Sequence, residues 1–90
     1  MLTAYDAPTA AIVDEAGVDV VLVGDSMGNA ALGYDSTLPV TFAEVASRTG
    51  AVARATEDAL VVADMPFLSF GVDEAESVRN AGRLLKEANA

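Results

Sequence analysis

Residues 18–29, VDVVLVGDSMGN, constrain this chain more than any other stretch. Val18, Val20, Val21, Leu22 and Val23 form a β-branched, apolar run that stops at Gly24, Asp25 and Ser26. The run has the composition of a strand buried on both faces, as in a parallel sheet. An ionisable Asp followed by a hydroxyl, just where such a strand ends, is where α/β proteins place their chemistry. Asp19, inside the apolar run, fits at the strand's first turn or edge, where it can reach water.

The flanking sequence supplies the alternating partners such a strand needs. Residues 2–5 read as a short strand ending at Asp6. Asp6 precedes Ala7 and Pro8, so it is the expected N-cap of a helix over residues 9–16, with Ala10, Ile12, Val13 and Ala16 as its apolar positions. Gly17 stands where a helix closes. Residues 27–40 carry turn chemistry in Gly28, Gly33, Asp35, Ser36 and Pro39. Thr41 and Glu44 then form a T-x-x-E capping box opening a helix over residues 42–55, with Val45, Thr49, Val52 and Ala53 as buried candidates. Gly50 weakens that helix. Residues 59–63 read as another buried strand, ending at Asp64; Pro66 forces the chain out of the sheet. Asp73 and Glu76 open a last helix reaching about residue 88. Ala75, Val78, Ala81 and Leu85 share one face of it, and Gly82 lies near that face as a point of close approach.

The order is thus βαβαβα, and the segments LTAYD, VLVGD and LVVAD each close a strand on an Asp. Alternating units of this kind build a parallel α/β sheet with right-handed crossovers. Three units leave a final helix with no strand after it, and three parallel strands bury their two faces poorly. The expectation is a single partial domain over residues 1–90: the first three βα units of a TIM (β/α)8 barrel, a fold of about 250 residues.

Composition narrows the partners. A net charge of −9, from 14 acidic and 5 basic residues, argues against nucleic acid or an anionic membrane surface, both of which require clustered Lys and Arg. The acid excess fits either a salt-rich cytoplasm or an ordinary acidic surface. Cys and His are both absent, which removes disulfides, thiol chemistry and imidazole bases. No apolar run approaches the roughly 20 residues of a membrane helix, and no basic leader precedes the first strand. A cytoplasmic location is the expectation.

The second and third strands end at Asp25 and Asp64. Adjacent parallel strands lie about 5 Å apart, so these two carboxylates can converge. Two anions that close repel unless a cation or a shared proton lies between them. A hard divalent cation such as Mg2+ suits carboxylate oxygens and keeps waters and substrate oxygens in its shell. Ser26 adds a hydroxyl for an anionic ligand. The alternative is that Asp25 and Asp64 simply cap turns. Asp6 reads as a cap rather than a ligand, Tyr5 and Tyr34 as packing residues. Gly24-Asp25-Ser26 also matches the nucleophile block of the GDS(L) hydrolases, but Ser26 would need a base, normally His. The spacing of Gly24, Gly28 and Gly33 does not form a dinucleotide fingerprint.

Four blocks in fixed order, LTAYDAP, VGDSMGN, GYDSTLPVT and VVADMPFLSF, closely resemble the ketopantoate hydroxymethyltransferase family over nearly the whole chain. The resemblance implies a TIM barrel of the phosphoenolpyruvate/pyruvate type. It implies Mg2+-dependent transfer of a hydroxymethyl group from methylene-tetrahydrofolate to α-ketoisovalerate, giving ketopantoate for pantothenate and coenzyme A synthesis. By the same resemblance Asp25 and Asp64 are metal ligands, and Asp25, Ser26 and Asp64 contact the keto acid. The family's Lys for the keto acid, its third metal carboxylate and its general base, a later Glu, fall on no residue of these 90, so no catalytic base is assigned here. Arg48 stands where the family often has His. The resemblance also implies a homo-oligomer, and its acid-rich version fits salt-adapted cytoplasms. The alternative is a non-catalytic chain that binds metal and keto acid or docks onto a full-length copy.

Overall fold

The computed structural model describes residues 1–90 as a three-stranded parallel sheet in the order β1-β2-β3 with helices along one face. The strands are β1 (Leu2–Thr3), β2 (Val20–Val23) and β3 (Leu60–Ala63); the helices are α1 (Ala7–Glu15), α2 (Met27–Ala30), α3 (Phe42–Ala55) and α4 (Glu74–Glu87). Leu2 pairs with Val21, and Val21 with Val61, so the three strands run in register across β2. Sequential strand order with right-handed crossovers sends every connecting helix to the same side of the sheet. The winding is that of the first βα units of a (β/α)8 barrel, as the sequence predicts. No helix is long and apolar enough to cross a membrane.

Local signals explain most of the element ends. Asp6 caps α1 by accepting the Thr9 N–H at 2.9 Å, so the helix begins at Ala7, two residues earlier than predicted. Gly17 follows α1 with φ of +90°, a conformation glycine adopts at no steric cost. Thr41 and Glu44 form the complete capping box of α3, with both reciprocal bonds present. Asp73 caps α4 through the N–H of Ala75. Asp19 precedes β2, is exposed, and its carbonyl accepts the Leu60 N–H at 2.9 Å.

The core lies between the sheet and its helices. Ala4, Val21 and Val23 face Ala10 of α1 and Val52 of α3, with Val13, Ala55, Val61 and Ala63 packed around them. A second cluster joins Met27, Val40, Val45, Leu84 and Ala88. The opposite sheet face, carrying Val20, Leu22, Leu60 and Val62, has no helix on it; Leu60 is 63% exposed. The strands are therefore covered on one face, not two as their composition predicts, because the one-sided winding leaves the other face bare. Inward and outward positions are both apolar, and composition alone cannot say which is covered.

The connection after β2 also differs from its predicted form. Met27–Ala30 makes a one-turn helix, and Tyr34 returns its N–H to the Gly28 carbonyl at 2.8 Å. Gly28 is required here: a Cβ would stand 2.5 Å from Val40 Cγ2. The buried face of α4 is corrected as well. Leu84 and Ala88 are the residues buried, while Val78 and Leu85 are mostly exposed. Leu84 and Ala88 are one helical turn apart and point at Met27 and Val45. The apolar stripe of α4 is thus wider than the face that α3 and the 27–40 connection can cover. Leu85 lines an open apolar hollow beside β3 instead, and nothing approaches Gly82 closely.

Candidate functional site

The carboxyl ends of the three strands meet at one point. The Asp64 amide donates to the Val23 carbonyl at 3.0 Å, which continues the β2–β3 pairing by one residue. That places Asp64 beside Gly24, and its Oδ2 accepts the backbone N–H of Asp25 at 3.1 Å. Asp25 and Asp64 are both half-buried. Gly24 itself is buried and packed between functional groups: a Cβ there would lie 3.2 Å from Asp64 Oδ2 and 3.3 Å from Ser26 Oγ. The glycine between strand and site therefore lets these two oxygens flank a single backbone position.

The chain then turns sharply. The Met27 amide bonds the Gly24 carbonyl and the Gly28 amide bonds the Asp25 carbonyl, so residues 24–28 wind into α2. Ser26 occupies the N-cap position without using its side chain to cap the helix. Its hydroxyl instead meets the Tyr5 hydroxyl at 2.6 Å. Fully buried Met27 anchors the turn from below.

Of the residues expected at a site, the structure brings Asp25, Ser26 and Asp64 together at the strand ends. Asp6 sits in the same rhythm but is occupied with α1, and backbone donation from Thr9 holds its carboxyl below the usual carboxylate range. No cluster of three or more His, Cys, Asp or Glu side chains that could hold a metal forms; Asp25, Ser26 and Asp64 offer oxygen donors only. Those donors fit a hard cation that keeps part of its shell for water or ligand oxygens. One oxygen of Asp64 is fixed by the Asp25 amide. The Ser26 hydroxyl is paired with a phenol rather than a base, so the arrangement lacks the nucleophile–base contact of a serine hydrolase.

Sequence reasoning missed two contributors. Tyr5, read as packing, touches Ser26 directly. Arg48 of α3 donates from Nη1 to the Tyr5 carbonyl at 3.2 Å and so braces the end of β1. The Tyr5 signal was available in the repeated strand endings: LTAYD, VLVGD and LVVAD align Tyr5 with Gly24 and Ala63.

The hollows of the molecule are lined by residues other than Asp25, Ser26 and Asp64. The largest, about 620 Å3, opens at the other end of the sheet among Asp14, Glu15, Asp19, Glu57 and Asp58. Its central carboxylate, Asp14, is already engaged by three backbone N–H groups, from Glu57, Asp58 and Ala59.

The sequence is similar to known proteins along its whole length. The profile of the family described as ketopantoate hydroxymethyltransferase matches residues 1–90. A 3-methyl-2-oxobutanoate hydroxymethyltransferase of Halobacterium salinarum is 78% identical over 90 residues, covering 100% of this chain and 33% of that protein. The enzyme of the same name from Natronomonas pharaonis is 77% identical over 90 residues, covering 100% of this chain and 34% of that protein. One from Thermosipho africanus is 58% identical over 91 residues, again covering 100% and 34%. The chain spans about a third of the length of these relatives. A family match from the first residue to the last, with relatives of 77–78% identity along the whole chain, places the chain in the ketopantoate hydroxymethyltransferase family.

Proposed function

We propose that this chain forms the keto-acid and metal side of a 3-methyl-2-oxobutanoate hydroxymethyltransferase. In this reading α-ketoisovalerate accepts a hydroxymethyl group from methylene-tetrahydrofolate to give ketopantoate, in a soluble, cytoplasmic, homo-oligomeric enzyme of the pantothenate route. The observation that carries the reading is the bond from the Asp25 amide to Asp64 Oδ2 across two neighbouring strand ends. It is supported by the family match and by the names of the relatives.

Asp25 and Asp64 would hold Mg2+, and Ser26 would donate its hydroxyl to the carboxylate of the keto acid. A bound Mg2+ supplies Lewis-acid stabilisation of the negative charge that develops on the 2-oxo oxygen when the neighbouring carbon loses its proton. Asp64 is held in place by the Asp25 amide, so little reorganisation is needed when ligand arrives. Gly24 keeps the backbone low enough for both oxygens to approach. Nothing in this chain is assigned as the base.

The test sets this sequence in place of the matching third of the Halobacterium salinarum relative. Ketopantoate formation is followed alongside calorimetric Mg2+ binding. Asp25→Asn and Asp64→Asn are expected each to weaken Mg2+ binding at least about tenfold and to lower kcat/KM by about 100-fold or more, as loss of a charged group from a preorganised site does. Full activity with unaltered Mg2+ binding in both variants would sink the assignment.

A further inference from the structure

The contact between Tyr5 and Ser26 has an asymmetry that gives it a role. Tyr5 is held from several sides. The Ala4 amide before it bonds the Leu22 carbonyl at 3.2 Å, Arg48 grips its own carbonyl at 3.2 Å, and its ring packs on the cluster around Met27 and Val45. Ser26, by contrast, is exposed and makes no capping bond, so its hydroxyl would otherwise rotate among staggered positions. The rigid partner therefore sets the orientation of the free one. A phenol is a more acidic donor than an alcohol. With Tyr5 donating to Ser26 Oγ, the serine proton is the one left to point outward, and the two-bond chain polarises it.

We propose that Tyr5 is a positioning residue whose hydroxyl turns the Ser26 proton toward an anionic oxygen of the ligand. Under the function proposed above, on which this inference rests, that oxygen belongs to the keto-acid carboxylate. Ser26 Oγ and Asp64 Oδ2 flank Gly24. A bidentate oxo-acid at this point would meet a directed donor from Ser26, and the cation that Asp25 and Asp64 would hold would supply its charge partner. Tyr5 contributes no proton to the chemistry; it makes the binding donor single-valued. The cost of immobilising the serine is met when the protein folds, before ligand arrives.

The experiment uses the same full-length chimaera with Tyr5→Phe, Ser26→Ala and the double variant. It reads KM for α-ketoisovalerate, kcat, and the thermal midpoint without ligand. Tyr5→Phe removes one oxygen and keeps the ring, so the midpoint should stay close to that of the parent. Its KM is expected to rise about fivefold, the worth of one neutral hydrogen bond, with kcat within about twofold. Ser26→Ala is expected to raise KM by at least as much. The double variant should be no worse than Ser26→Ala, because Tyr5 acts only through Ser26. An unchanged KM in Tyr5→Phe alongside a raised KM in Ser26→Ala overturns the positioning role and leaves the proposed function standing. Additive effects in the double variant overturn it equally. An unchanged KM in Ser26→Ala removes the serine–carboxylate contact from the proposed function and this inference with it.

Discussion

Thr49 is the one buried side chain of this protein whose polar atom has no partner. It is completely enclosed on the inner side of α3, and its Oγ1 meets neither a donor nor an acceptor. An unpaired buried hydroxyl costs on the order of 1–3 kcal/mol, while a methyl of the same shape costs nothing to bury. Thr49→Val is therefore expected to raise stability by about 1 kcal/mol, read as a higher urea midpoint at unchanged slope. A destabilised variant would mean that the hydroxyl has a partner in solution. Thr49 was legible in the sequence as a buried position of α3, from helical spacing alone. Its lack of a partner was not, because that depends on what the sheet presents opposite. The strand-end positions of Asp25 and Asp64 were legible for a related reason: each closes an apolar run, and consecutive parallel strands lie side by side. Tyr5 escaped because a phenol at a strand end serves equally well as packing.

Among the elements, the join between α1 and β3 rests on Asp14. Its Oδ2 accepts the Glu57 N–H at 2.9 Å, and its Oδ1 accepts those of Asp58 at 3.2 Å and Ala59 at 2.9 Å. These donors hold the carboxyl below the usual carboxylate range, Glu57 most of all. Asp6 at the start of α1 and Glu44 in the capping box are lowered too, chiefly by backbone N–H of Thr9 and Thr41 respectively. A folded value below the unfolded one means that stability from these groups is complete above the ordinary carboxylate range. It is lost as pH falls through the lowered values. Asp14→Asn can keep only one accepting oxygen, so it is expected to unfold at lower temperature at pH 7. Its loss of stability between about pH 5 and pH 2 should also be shallower than the parent's. Circular dichroism melts across that range check both; an unaltered acid limb would show that Asp14 carries none of it. The capping box of α3 was legible because its partners lie three residues apart. The Asp14 clamp was not, since it joins a helix end to backbone more than forty residues away, and the residue reads as a solvated helix position.

At the scale of the whole molecule, charge and coverage both fall unevenly. The chain carries −9 with 14 acidic side chains, yet a single ion pair forms, Arg83 with Glu87 at 3.2 Å. Arg83 also stacks 4.5 Å from the Phe42 ring centroid. Most of the acidic groups therefore repel one another without local compensation. Salt shortens the range of that repulsion from about 10 Å at 0.1 M to about 3 Å at 1 M. The thermal midpoint is expected to climb as KCl is raised from 0.05 M to 2 M; a flat or falling midpoint would show that repulsion does not limit stability. The βα order and the barrel-type winding were legible, because alternation and crossover handedness leave few choices. Which sheet face is covered was not, since Leu60 and Val61 are equally apolar and only the direction of winding separates them. The two carboxylate devices of this small sheet also stand at opposite ends of strands four residues long: Asp25 and Asp64 where β2 and β3 finish, Asp14 where β3 begins. That separation gives a descending lineage two independent dials. Acid tolerance can drift at the lower rim, generation after generation, while the Asp25–Asp64 contact at the upper rim is inherited unchanged.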